Sequence, residues 1–272
     1  MDIKTNKKIP CVLTIAGSDS GGGAGIQADI KTISANGCYA ASVITSVTAQ
    51  NTMGVESVYD LPAEVVAAQL DAVFKDIDFS CVKIGMLSNA EIIDTVAYKL
   101  EEYKIAPVVL DPVMVSTSGH ALLRPDARES LKRRMIKLAK IVTPNIPEAE
   151  ELSGIKITNI EDMKNAARII GEMGAEFVLV KGGHSGGDEA TDIMFKCDTG
   201  ESRTYSEKRV ETKNTHGTGC TLSSAVAANL AKGYDPFEAA ERAKKYLTAA
   251  LENTFDIGHG CGPVNHNIEI RD

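Results

Sequence analysis

Lys213-Asn214-Thr215-His216-Gly217-Thr218-Gly219-Cys220 is followed by a run of small residues, Thr221 to Lys232, and then by Gly233. This order reads as a glycine-rich loop feeding a helix that a glycine closes. Gly217 and Gly219 let backbone N–H groups converge without side chains in the way. A helix starting near Cys220 adds its unpaired N–H groups and the positive end of its dipole. Together they form an anion site, and the Cys220 thiol placed there is expected to favour the thiolate. A tight turn before a buried helix would show the same spacing, and the stretch is not the GxxxxGK[ST] phosphate loop.

The chain around this loop alternates strands and helices. Ile9–Ala16 reads as a buried strand, Gly17–Gly25 as a glycine loop and Ile26–Asn36 as a helix. Cys38–Thr48, Cys81–Ile84, Pro107–Leu110, Ile141–Thr143 and Phe177–Val180 follow as strands, with Val55–Tyr59 as a short extra one. Helices are expected over Pro62–Phe74, from a Ser88/Glu91 capping box, over Arg124–Ala139, from Glu148, over Met163–Met173 after a Thr158/Glu161 box, and from Asp235-Pro236 to about Leu251. Ala190–Phe195 and Ser202–Tyr205 read as a hairpin. Short links in this rhythm predict an α/β fold in three layers, a mostly parallel central sheet with helices on both faces. No Pro-, Ser- or charge-rich linker interrupts it, so one domain over residues 1–272 is expected.

Composition narrows the function. Of 272 residues 43% are hydrophobic and the formal net charge is -8, which disfavours a large nucleic-acid surface or an anionic membrane as partner. The polar N-terminus lacks a signal-type apolar core, and no run approaches the about 18 apolar residues of a membrane span. Cys11, Cys38, Cys81, Cys197, Cys220 and Cys261 form no CxxC pair and fit free thiols in a reducing cytoplasm.

Polar or glycine-rich residues end the strands: Gly17, Gln50, Gly85-Met86, Asp111, Asn145 and Lys181. In a parallel sheet these ends share one edge, where such folds place ligands. Lys181, between an apolar run and Gly182-Gly183, suits a phosphate. Asp111 and Glu148 offer the hard oxygens that Mg²⁺ prefers, with Asn145 to orient water or phosphate. A first-turn acid stabilised by a helix dipole is the plainer account of Glu148, as a surface lysine is of Lys181. His184 and His216 read as secondary, and Val113–Ala121, with Ser116, Thr117 and Ser118, as a loop or lid.

Asn214-Thr215-His216-Gly217-Thr218-Gly219-Cys220 resembles the anion-hole motif of the ribokinase-like superfamily, and Thr143-Pro144-Asn145-Ile146-Pro147-Glu148 resembles its Asn-x-x-Glu magnesium motif. Cysteine where most of that superfamily has aspartate is similar to the branch that phosphorylates hydroxymethylpyrimidine and its monophosphate for thiamine synthesis. The likeness runs from Ala16 to His259. It implies a ribokinase-like fold, ATP and Mg²⁺, and Cys220 as base with the Gly217 and Gly219 amides and Lys181 as its catalytic company. It implies Lys181, Asn145 and Thr218 on the nucleotide, Asp111 and Glu148 on the metal, and a pyrimidine pocket of Gly17, Asp29, Gln50 and Met86. A homodimer is a further expectation from the resemblance. No cysteine lies in Val113–Gly119, which with Gln50-Asn51-Thr52 favours the pyrimidine over pyridoxine or pyridoxal. A phosphometabolite sensor would need neither a magnesium shell nor a base.

Overall fold

The structure is a computed structural model and describes residues 8–115, 119, 122–183 and 188–268. In chain order the elements are β1 (Cys11–Asp19), α1 (Gly25–Ala35), β2 (Tyr39–Asn51), β3 (Gly54–Asp60), α2 (Ala63–Phe74), β4 (Cys81–Ile84), α3 (Ala90–Glu102), β5 (Val108–Leu110), α4 (Ala127–Ser130), β6 (Ile141–Val142), α5 (Ile146–Ser153), α6 (Ile160–Gly171), β7 (Phe177–Val180), β8 (Glu189–Lys196), β9 (Ser202–Lys208), α7 (Thr218–Ala231) and α8 (Pro236–Glu252). Among the described residues one sheet runs β3-β2-β1-β4-β5-β6-β7-β8-β9. The stretch from β2 to β7 is parallel, while β3, β8 and β9 pair antiparallel at the two edges.

Strand residues alternate between two apolar layers, as the pleat requires. Leu13, Ile15, Val82, Ile84, Val108, Leu110, Val178 and Val180 meet α2, α3, α5 and α6. Val12, Cys81, Val109, Ile141, Phe177 and Leu179 meet α1, α7 and α8. Near-continuous apolar runs are what a strand buried on both faces needs. The connection order reverses between β1 and β4, so the crevice beyond their C-terminal ends is the switch point at which such sheets take ligands.

Three local expectations shift. The caps of α3 and α6 are Asn89 and Asn159, whose side chains accept from the amides of Ile92 at 2.9 Å and Asp162 at 3.0 Å. Both lie one residue after the expected Ser88 and Thr158, because the cap must be the last extended residue and a short amide reaches the N3 amide as well as a hydroxyl does. The expected helix over Arg124–Ala139 breaks into one α-turn, a π-turn over Leu131–Met135 and a 3₁₀ turn over Ile136–Leu138. Its buried residues explain this: Ala127, Leu131 and Met135 repeat every fourth position, then Ile136 and Ala139 every third. A wider turn followed by a tighter one keeps both sets on the core.

Asp29 was expected in the pyrimidine pocket and is instead sealed between α1, α7 and the sheet, with no exposed surface. It pairs with Lys83 of β4 at 2.8 Å and also accepts from Thr14 at 2.6 Å and Ser224 at 2.7 Å. Its partners lie on three other elements, which is why its place in α1 did not reveal them. Lys83→Met leaves this carboxylate buried without its cation and should cost about 3–5 kcal/mol in urea unfolding. Lys83→Met with Asp29→Leu should recover most of that loss; a single variant as stable as the parent would show the pair to be idle.

Candidate active site

The first loop is organised by Asp19, at the end of β1. Its carboxylate accepts from the amides of Gly21 at 2.8 Å, Gly23 at 3.0 Å and Ala24 at 2.8 Å. His216, from the anion loop, reaches the same carboxylate at 2.9 Å. Burial works against the charge on Asp19, yet His216 and the loop amides hold the carboxyl below its ordinary value. The two loops interlock through missing side chains. Gly217 has φ +79°, and a Cβ there would strike the Gly23 carbonyl, while a Cβ on Gly23 would strike the His216 ring at 2.5 Å. His216 is thus a loop fastener, the secondary role allowed for it.

Gly217 caps α7, which begins two residues before the expected start. The Thr218 amide turns back to the Thr215 carbonyl at 3.3 Å, leaving Gly219 and Cys220 as the first-turn amides that face outward from the helix start. A Cβ on Gly219 would lie 3.4 Å from Lys181 Nζ and 3.6 Å from Asp111 Oδ2. The helix start therefore adjoins the strand-end charges, as the shared-edge argument requires.

Those charges are themselves paired. Lys181 Nζ sits 2.7 Å from Asp111 Oδ1, and Thr143 of the β6 end and Ser223 of α7 each donate to Asp111 at 3.3 Å. Burial opposes the Asp111 charge, but Lys181 and Lys83 outweigh it and hold the carboxyl low. Glu148 is the opposite case: burial lifts it to about 7, with Lys181 only partly opposing and Asp111 adding to the rise. It is also a first-turn acid in a full capping box, accepting from the Asn145 amide at 2.8 Å while Asn145 Oδ1 accepts from the Glu148 amide at 2.9 Å. Glu148 is thus the capped first-turn acid of the plainer reading, and the Asn145 carboxamide keeps its Nδ2 protons and one Oδ1 lone pair for a ligand.

Cys220 is half-buried at the cavity wall. Burial pushes its thiol up to about 11, with Lys83 opposing and Asp29 and Asp111 reinforcing the rise. This corrects the expected thiolate. Desolvation and the two buried carboxylates work against the negative charge that a helix start favours.

A cavity of about 760 Å³ joins these groups. Gly17, Thr48, Gln50 and Met86 line one end, Asp111, Glu148, Asn145, Lys181, Gly217, Thr218, Gly219 and Cys220 the middle, and Lys208, Arg209, Thr248 and Leu251 the other end. A Cβ on Gly17 would lie 3.1 Å from Met86 Sδ, so a side chain there would press on the thioether. Of the expected site residues only Asp29 lies off this wall. His184 and Ser116, Thr117 and Ser118 of the expected lid lie outside the described residues. The sequence reading missed Asp19, Thr48 and Ser223 and the whole far end; an acid inside a glycine loop was the visible signal for Asp19. Among the described residues no three His, Cys, Asp or Glu side chains cluster as a metal cage, and no helix is long and apolar enough to cross a membrane.

The family model described as phosphomethylpyrimidine kinase matches residues 19–265. The chain belongs to this family. It is 54% identical over 257 residues to a hydroxymethylpyrimidine/phosphomethylpyrimidine kinase of Rhizobium meliloti, covering 93% of this chain and 96% of that one. It is 51% identical over 261 residues to a thiamine biosynthesis bifunctional protein of Geobacter sulfurreducens, covering 96% of this chain but 53% of that protein. The chain thus spans about half the length of such bifunctional relatives and nearly all of the shorter ones. Among solved structures, a phosphomethylpyrimidine kinase of Clostridium difficile superposes with TM-score 0.80 at 50% identity, covering 90% of this chain and 100% of that one. A pyridoxal kinase of Bacillus subtilis in complex with ADP gives 0.88 at 36% identity, covering 95% and 98%. The ribokinase-like α/β fold expected from the motifs is the fold of these kinases.

A thiol held near 11 alkylates slowly at neutral pH. The rate at Cys220 with iodoacetamide, followed by peptide mass spectrometry, should rise roughly tenfold per pH unit from about pH 7 to about pH 10. A rate that levels off near neutrality would instead reveal an activated thiolate.

Proposed function

We propose that the chain transfers the γ-phosphoryl group of ATP, with Mg²⁺, to 4-amino-5-hydroxymethyl-2-methylpyrimidine and then to its monophosphate. One observation carries the reading: Gly219 at the start of α7 adjoins Lys181 and Asp111 in a cavity whose other wall holds Gln50 and Met86. The relatives that share this chain over nearly their whole length are named for those two reactions.

Phosphoryl transfer needs little covalent help; positioning and charge do most of the work. The Gly219 and Cys220 amides are placed to hold the oxygens of the transferred group, and Lys181 to neutralise the phosphate chain. Asp111 and Glu148 would hold Mg²⁺: they supply oxygen donors only, and the Glu148 charge is one the protein's own cations leave unbalanced. When bound, the cation neutralises phosphate oxygens. Gln50 and Met86 suit the edge and face of a flat aminopyrimidine. The far end, with Lys208, Arg209 and Leu251, has the mixed character a nucleoside needs.

Only the thiolate of Cys220 can take the alcohol proton, and a thiol held near 11 leaves a small fraction of it at neutral pH, so a first transfer that depends on this base should speed up as the pH rises. The second transfer differs. A phosphate monoester carries a second pKa of about 6 and is already an anion at neutral pH, so it needs no base. A pyridoxal kinase is the second reading, favoured by the closer backbone match to the Bacillus subtilis pyridoxal kinase but opposed by the lower identity. Competition between pyridoxal and the pyrimidine separates them.

With purified protein and Mg-ATP, hydroxymethylpyrimidine should release ADP and yield first the monophosphate, then the diphosphate; ADP release at background level would sink the assignment. Cys220→Ser should slow the first transfer by about 10²-fold and the second by less than about tenfold; equal losses would remove Cys220 as base. Because Glu148 is raised to about 7, it is mostly neutral below that pH and a carboxylate above it. Mg-nucleotide affinity should therefore strengthen between about pH 6 and about pH 8, and Glu148→Gln should flatten that rise.

A further inference from the structure

Gln50 is held by its backbone: its amide donates to Ser20 Oγ at 2.8 Å, and Ser20 Oγ donates to the Gln50 carbonyl at 2.7 Å. Its carboxamide lies between two fixed neighbours, Nε2 at 3.2 Å from His216 Nε2 and Oε1 at 3.1 Å from Thr48 Oγ1. The oxygen and nitrogen of a carboxamide have the same shape, and the protons of their neighbours decide which is which. His216 Nε2 is also 2.9 Å from Asp19 Oδ2. Asp19 accepts three loop amides and is a carboxylate. A bare imidazole lone pair facing a carboxylate oxygen would be repulsive, so Nε2 carries a proton and donates it to Asp19. A protonated ring nitrogen cannot accept from an amide NH2, and Gln50 Nε2 in that place sets donor against donor. At the other end Thr48 Oγ1 lies 3.0 Å from the Ser18 carbonyl. Its one proton goes there, so it offers Gln50 a lone pair. Both neighbours ask for the same arrangement, with oxygen toward His216 and nitrogen toward Thr48.

We propose that Thr48, His216 and Asp19 are positioning residues that lock the Gln50 carboxamide, Oε1 toward the anion loop and Nε2 toward Thr48, and so set which ring edge the site accepts. A carboxamide has two N–H donors and two oxygen lone pairs. The lock uses one of each, the oxygen sharing the single His216 Nε2 proton with Asp19 in a bifurcated bond. An acceptor remains on the His216 side and a donor on the Thr48 side, both on a residue that lines the cavity. His216 directly precedes the Gly217 cap of α7, so the acceptor lies on the side where phosphate is transferred. A ring fits when an amine stands next to its reacting CH2OH arm and a bare ring nitrogen stands beyond the amine. Its amine donates to Oε1 and its ring nitrogen accepts from Nε2. The deaminated 4-oxo ring presents the reverse pattern, a carbonyl and then an N–H. A free glutamine would turn over to meet it, whereas here the turn loses both locking bonds. The choice of ring edge rests on the pyrimidine kinase reading; the lock does not.

Two measurements test this. In ligand-free protein labelled with ¹⁵N-glutamine, ring-¹⁵N histidine and ¹³C-methyl threonine, the Gln50 NH2 protons should show NOEs to the Thr48 methyl, and His216 Nε2 should have the ¹⁵N shift of a protonated nitrogen. NOEs from those protons to the His216 ring, with Nε2 unprotonated, would overturn the lock. In turnover, the ratio of kcat/KM for the 4-amino over the 4-oxo hydroxymethylpyrimidine should be at least about 10² in the parent and fall about tenfold in Thr48→Val. General damage lowers both substrates together and leaves the ratio alone, so an unchanged ratio in an active Thr48→Val variant would overturn the specificity claim. If the parent turns over neither ring, the kinase reading fails, and the NOE pattern still decides the lock.

Discussion

The contact between Gly217 and the Gly23 carbonyl is the constraint on which the rest of the site depends. It joins loops from opposite ends of the chain with no room for a side chain at either position. Asp19 and His216 fasten the seam from residues almost two hundred positions apart. The closing tail fastens it from outside. The His216 amide donates to the Gly262 carbonyl at 3.0 Å, and the Cys261 amide to the Thr52 carbonyl at 2.9 Å. Gly258, Gly260 and Gly262 press against Thr52 and Asn214 with the same lack of space. The glycines serve close approach here more than flexibility. With the seam shut, the start of α7 stands over the ends of β1, β4 and β5, and one cavity is lined both by Gly219 and Cys220 and by Gln50 and Met86.

Charge in this interior is handled by pairing. Lys83 meets Asp29, Lys181 meets Asp111 and Lys244 meets Asp192, each at 2.7–2.8 Å and largely out of water. An isolated buried ion would be far more costly than such a pair. Glu148 stands apart: among the described residues it has no ion pair of its own, and burial raises it accordingly. Beside it Lys181 is paired with Asp111 and also feels the Glu148 carboxyl. The interior is thus neutral at its paired charges and unbalanced at Glu148. The same logic explains Cys220, which sits among two carboxylates and one ammonium and stays a thiol.

Much of this was legible in the chain itself. The β-branched runs and their glycine or acid endings give the parallel sheet and the edge that carries ligands. The Gly217–Cys220 stretch and Asn145–Glu148 mark the anion site and the acidic helix start through local backbone needs. Where reading stopped, the deciding partner was distant. Asp29 has the pattern of an exposed helical acid, but Lys83, Thr14 and Ser224 come from β4, β1 and α7. The turns from Ala127 to Leu138 follow a buried spacing that only the layer beneath them selects.

Local chemistry therefore determined the elements, their order and the loops able to take an anion, because hydrogen-bond geometry and glycine conformation act over a few residues. Tertiary structure decided which charges are neutralised, which thiol stays protonated and which way the Gln50 amide faces. Those properties depend on desolvation and on protons donated by groups far along the chain, and the linear order of residues carries neither.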